Sequence, residues 1–171
     1  MESTVATQST MSIFRAKDIA VMHHEAAEMD KAPDAAADGL SRMFEAGMTS
    51  GAVVKRLFDA PGFSLVYAWF KPKFPLYRHS HDKDCLYYIV SGSLRLGTED
   101  LGPGDGFFLT ADTPYTYAIG EDGLEILEFR QEGDFTTRTM GGTQAYWDKA
   151  VAAITANRAT WEALVPPRAA A

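Results

Sequence analysis

The chain has 171 residues, 46% hydrophobic and 23% charged, with a formal net charge of −7. That is enough chain to bury one domain core with extensions; the acidic balance and the lack of any Lys/Arg cluster exclude a nucleic-acid surface and disfavour anionic membranes. A single cysteine excludes an internal disulfide, no apolar run approaches the ~20 residues of a bilayer span, and "MESTVATQSTMSIF" has no basic or apolar signal region, so a cytoplasmic protein is expected.

Residues 1–50 read as an N-terminal arm, of which residues 1–10 are Ser/Thr-rich and expected to be disordered. His23 and His24 stand beside "EAAEMDK", a polar setting that suits surface residues better than ligands. "DAAADGLSRMFEAG" predicts a short helix capped by Gly47.

From residue 51 to about 132 the texture is that of short strands. "AVVKRLF", "FSLVYAWF", "CLYYIV", "SLRLG", "GFFLT", "YTYAI" and "LEILEF" are separated by breaks such as "DAPG", "SGS", "TEDLGPGDG", "ADTP" and "GEDG". Many short strands with no helix between them predict an antiparallel barrel or sandwich. "FSLVYAWF" is apolar on both parities, which predicts cover on both faces, the outer one by the N-terminal segment or a second subunit. "GPGDG" opens a strand rather than a helix and is read as a turn, not a phosphate loop. In the extension at 133–171, Trp147, Val151, Ile154, Trp161 and Val165 recur at helical spacing. They predict an amphipathic helix over 143–165, stopped by Pro166-Pro167.

The chemistry-bearing stretch is "HSHDKDCLYYIVSG", residues 79–92. Side chains two apart on a strand share a face, so His79 and His81 can converge on one point. Paired imidazoles make half a site for a divalent metal such as Zn, Fe, Cu, Mn or Ni. Cys85 could join them as a thiolate or pack as a small hydrophobe. Strand parity puts Tyr87 and Ile89 on the face of Cys85, Tyr117 on that of Tyr115, and Tyr77 with the histidines, while Arg78 points away. If those faces look inward, the pocket is aromatic with hydroxyl tips, and Tyr77, Tyr87 and Tyr117 are its candidate substrate-binding residues.

The order of these residues resembles the cupin superfamily over residues 63–130. The first cupin motif, His-x-His, three or four residues, Glu, six residues, Gly, is met by His79, His81, Cys85 in the Glu place, and Gly92. The second, Gly, five residues, Pro-x-Gly, two residues, His, is met by Gly104, "TAD" at 110–112, and Tyr115 in the His place. The resemblance implies a cupin-type antiparallel β-barrel (jelly roll) with an N-terminal arm and a C-terminal helix, a small-molecule ligand inside it, and a homodimer. It also implies metal at His79 and His81, with Cys85 or Tyr115 completing the shell: Cys85 is the candidate third ligand, and Tyr115 a phenolate ligand or the catalytic acid/base group. Two of the four usual ligand positions are replaced, so three readings stay open. The first is a metal-dependent dioxygenase, isomerase or lyase acting on a small, partly apolar or aromatic compound. The second is a metal-free sensor or carrier, and the third a metal-free acid/base enzyme using Tyr115 with His79 or His81.

Overall fold

A computed structural model of the protein describes residues 11–22, 28–29 and 34–171. The readings of residues 1–10 and of His23 and His24 lie outside the described residues. The elements are β1 (Glu28–Met29), α1 (Asp34–Glu45), β2 (Ala52–Ala60), β3 (Phe63–Phe70), β4 (His79–His81), β5 (Cys85–Leu96), β6 (Glu99–Leu101), β7 (Gly106–Leu109), β8 (Ala118–Arg130), β9 (Thr136–Thr139) and α2 (Gln144–Ala163). They form a six-stranded antiparallel sheet, β2-β3-β8-β5-β6 with β7 also on β5, and a three-stranded sheet, β1-β9-β4. This is the mostly β, jelly-roll arrangement expected, with a C-terminal helix. The strand β9 lies beyond residue 132 yet pairs with β4, so the sheet around the histidines draws on the C-terminal extension.

Three boundaries differ from the sequence reading, each for a local reason. "CLYYIV" and "SLRLG" are one strand, β5, because the "SGS" between them is a bulge and not a turn. There Gly92 takes φ 75°, and a Cβ on it would lie 2.0 Å from the Gly123 carbonyl oxygen, so only glycine fits the crossing. "GEDG" likewise runs inside β8. Most of "YTYAI" is not strand: Tyr115 makes an isolated bridge to His79, and β8 starts only at Ala118.

Alternation along β5 separates the faces. Cys85, Tyr87 and Ile89 are at most 2% exposed, whereas Leu86, Tyr88 and Val90 are 44–49% exposed. On β3 both faces are covered. Ala68 and Phe70 join the main core and Val66 is buried at the cavity wall, and Tyr67 and Trp69 form a second cluster with Ala16 and Ile19 from the arm and Leu164, Ala169 and Ala170 from the C-terminal end. The arm therefore provides the expected cover, helped by the tail. In α2, capped by the Thr143 side chain, Trp147, Ile154 and Trp161 are buried as expected. Val165 lies past the helix end and is 89% exposed, while Ala150 faces the core in its stead.

Candidate functional site between the sheets

The backbone brings the site together. His79 and Tyr115 exchange both main-chain hydrogen bonds, at 3.0 and 2.9 Å, which sets them side by side with their side chains on one face. On the other edge of β4, His79 lies opposite Thr139 and His81 opposite Thr137. The two imidazole centroids are 5.0 Å apart. Tyr87 reaches the same point from β5, its ring stacked on Phe107 at 4.5 Å.

The hydrogen bonds have a readable direction. The Tyr77 carbonyl can only accept, so Nδ1–H of His79 donates to it at 2.8 Å. In the neutral ring Nε2 then carries the lone pair, and the Tyr115 hydroxyl, 2.9 Å away, donates to it. The Tyr87 hydroxyl, 2.7 Å from that of Tyr115, must be the donor in its turn. The result is an ordered chain from Tyr87 to Tyr115 to His79 to the Tyr77 carbonyl. Burial above all pushes the phenols of Tyr87, Tyr115 and Tyr117 well up, and the phenol of Tyr77 to about 12, so all four keep their protons at neutral pH.

His81 differs. Its Nδ1 lies 3.2 Å from the Thr137 hydroxyl and 3.4 Å from the Thr136 carbonyl, and the Nδ1–H tautomer satisfies both. Burial, followed by His79 and the charge of Arg130, pushes its pKa down to about 2. It is a neutral acceptor, not a charged group.

His79, His81, Tyr77, Tyr115 and Tyr117 all line one cavity of about 150 Å3 with apolar walls from β2 and β3. Cys85 and Tyr87 share the inward face but stand behind the lining. The Cys85 thiol, pushed up to about 12 by burial and then by Glu128, is directed at the Leu86 carbonyl 3.8 Å away.

Two further residues of the site escaped the sequence reading. Glu128 lines the cavity, directly across the β5–β8 ladder from Tyr87. Arg130, two residues on and on the same face, is buried, with Nη2 2.7 Å from Glu128 Oε2 and its guanidinium 4.0 Å over the Phe135 ring. The Glu128 contact is close but poorly aligned, and the guanidinium nitrogens have no aligned hydrogen-bond acceptor among the described residues. Burial opposes the charge of Arg130, yet the Glu128 carboxylate and the surrounding groups outweigh it and hold the group cationic. Parity was the available signal: in "LEILEFR" Glu128 and Arg130 share the face of Leu124 and Ile126, and Glu125 does not.

The expected ligand set of His79, His81 and Cys85 is not assembled at one point. Among the described residues no three His, Cys, Asp or Glu side chains are gathered to hold an ion. Nε2 of His79 is taken by Tyr115, and the third expected ligand, Cys85, is a protonated thiol outside the cavity lining.

No family model matches the sequence, and no curated protein matches it. Solved structures do match in shape. The polyketide cyclase RemF from Streptomyces resistomycificus aligns at TM-score 0.54 and 17% identity, over 85% of this chain and 99% of its own. A variant of Bacillus subtilis oxalate decarboxylase aligns at TM-score 0.52 and 17% identity, over 78% of this chain and 34% of its own. An RmlC-like cupin from Shewanella frigidimarina aligns at TM-score 0.45 and 20% identity, over 49% of this chain and 78% of its own. The fold is the jelly-roll type shared with RemF and oxalate decarboxylase, as the resemblance of the motifs implies. In this fold β4 supplies two histidines to the cavity, while the carboxylate in the cavity comes from β8 rather than from the position of Cys85.

Proposed function

We propose that the protein is a metal-free acid/base enzyme acting on a small, largely apolar carbonyl or phenolic compound held between the sheets. The observation that carries this reading is the Tyr115 hydroxyl, at the cavity wall and donating at 2.9 Å to an imidazole whose far nitrogen is held by the Tyr77 carbonyl.

Such a pair can relay a proton. As the substrate gives up the proton beside its carbonyl, the Tyr115 oxygen takes it while the hydroxyl's own proton passes to His79 Nε2. The electron pair of the broken C–H bond moves onto the carbonyl oxygen as an enolate. His79 becomes an imidazolium bonded to the Tyr77 carbonyl, and the Glu128 carboxylate, by offsetting the buried charge of Arg130, keeps that new cation from facing an unbalanced one. Reversal at another atom gives an isomer; attack of the enolate on a second carbonyl of the same compound gives a ring. The likeness to a polyketide cyclase along nearly the whole of that chain supports a substrate with enolisable carbonyls. The cavity volume, about 150 Å3, suits one benzene-sized ring at the reacting end.

Acetophenone is a single-ring probe of this chemistry. The protein is expected to speed exchange of its methyl protons for deuterium in D2O, followed by proton NMR, and Tyr115→Phe to lower that rate by about 10²-fold or more. Binding of phenol without any exchange above buffer would overturn the enzyme reading in favour of a carrier or sensor.

A further inference from the structure

The inner cavity is small, and a larger groove lies against its wall. The groove, about 600 Å3, runs between the end of the sheets and α2 and shares Phe74, Leu76 and Tyr117 with the cavity of about 150 Å3. Those three residues are therefore a partition one side chain thick. Phe74 and Leu76 belong to a segment without regular structure. Its backbone carries positive φ (60°) at Lys73, a conformation that non-glycine residues seldom adopt. The floor of the groove is apolar, with Ile119, Ala150 and Ala153. Its rim carries Lys73, Arg95 and Lys149, and no acidic residue is among the groove's lining residues. Lys73 and Arg95 are paired with Glu121 and Asp100, so the charge offered to a ligand rests chiefly on Lys149.

We infer that the natural substrate is bipartite: a ring that reacts in the inner cavity, and an apolar tail ending in an anion that passes Leu76 and Tyr117 into the outer groove. This rests on the function proposed above for the inner cavity. It reconciles a cavity fit for one ring with a neighbouring groove in the size range of a ligand site. The apolar floor matches a hydrocarbon chain, and the basic rim a carboxylate or phosphate at its end.

The test is isothermal calorimetry with phenol, 4-hexylphenol and 6-(4-hydroxyphenyl)hexanoate on the full chain. The hexyl tail is expected to tighten binding by about tenfold or more over phenol. The carboxylate is expected to preserve that gain at low salt and lose part of it at high salt. Ala153→Trp, which fills the groove from the half-buried face of α2, should abolish the tail's gain and leave phenol binding unchanged. Lys149→Glu, on the exposed rim, should weaken the hexanoate alone. Equal affinity for all three probes, or a tail gain that survives Ala153→Trp, overturns the inference. If those failures occur while acetophenone exchange persists, only the bipartite site falls. If the tail gains hold but exchange is absent, the groove stands and the chemistry falls.

Discussion

Two glutamates three residues apart on β8 have opposite roles in the structure. Glu125 points outward and is held by two neutral donors, the Tyr67 hydroxyl at 2.7 Å and the Ser91 hydroxyl at 2.6 Å. Glu128 points inward, faces the cavity and meets a buried guanidinium at 2.7 Å. One strand thus carries a carboxylate that ties strands together and another that sets the electrostatics of a pocket. An odd spacing on a period-two element is all that separates them. If this is right, neutralising the inner carboxylate should damage the chemistry, and neutralising the outer one should not.

The largest effect expected is on rate. Glu128→Gln keeps the shape but leaves the Arg130 cation unbalanced beside the cavity, which disfavours the His79 imidazolium, and should lower acetophenone exchange by about 10²-fold. Tyr115→Phe should do at least as much, since it removes the oxygen through which the proton moves. Deuterium exchange by NMR on matched amounts of folded protein measures both. An undiminished rate in Glu128→Gln would erase the distinction between the two carboxylates.

How much of this could be read beforehand depends on whether the signal was local. The inward set Cys85, Tyr87, Ile89 follows from alternation within one strand, and so does the sharing of a face by His79 and His81. The same rule applied to "LEILEFR" marks Glu128 and Arg130 as inward, but charged residues at strand positions are ordinarily taken as solvated, which hid them. The pairing of His79 with Tyr115 joins residues 36 apart through a single bridge, and no local pattern announces it. That Cys85 stands behind the cavity lining is likewise a matter of packing between strands. Motif spacing pointed to the fold and to Tyr115; the proton chain needed the coordinates.

A second way to sharpen the contrast is to break the inner pair and watch stability. Arg130→Met leaves the mostly buried Glu128 carboxylate without its counter-charge and should cost about 3–5 kcal/mol in urea denaturation. The double variant Arg130→Met with Glu128→Leu should recover most of that loss, because two apolar side chains no longer require a desolvated charge. A cost below about 1 kcal/mol for the single change would mean that water reaches the pair freely.

The inner face should also show itself through pH. His81 is held neutral by burial, with a pKa pushed down to about 2, whereas an unfolded histidine titrates near ~6.5. The folded state therefore binds fewer protons than the unfolded state between those values. Its contribution to stability is whole above about pH 6.5 and is lost as the pH falls, by up to about 1.4 kcal/mol per pH unit. His81→Gln removes that titration and should flatten the acid limb of stability between about pH 6.5 and 4. An acid limb identical to the parent's would show that the ring takes up its proton without unfolding.

The smallest effect belongs to the outer carboxylate, and its size follows from counting donors. Glu125 accepts one hydrogen bond on each oxygen. In Glu125→Gln one oxygen remains for one hydroxyl, and the other hydroxyl can turn to accept from the new amide. Two charge-assisted bonds become two neutral ones, a loss of about 1 kcal/mol. The Tyr67 phenol, raised first by burial and then by Glu125, should titrate somewhat lower but stay protonated at neutral pH, because burial is the larger cause. Acetophenone exchange should remain within about twofold of the parent, since the change lies on the far face of β8 with the sheet between it and the cavity. A rate loss comparable to that of Glu128→Gln would mean that the two faces are coupled through the strand, and the division of labour between the two glutamates would fail at its root.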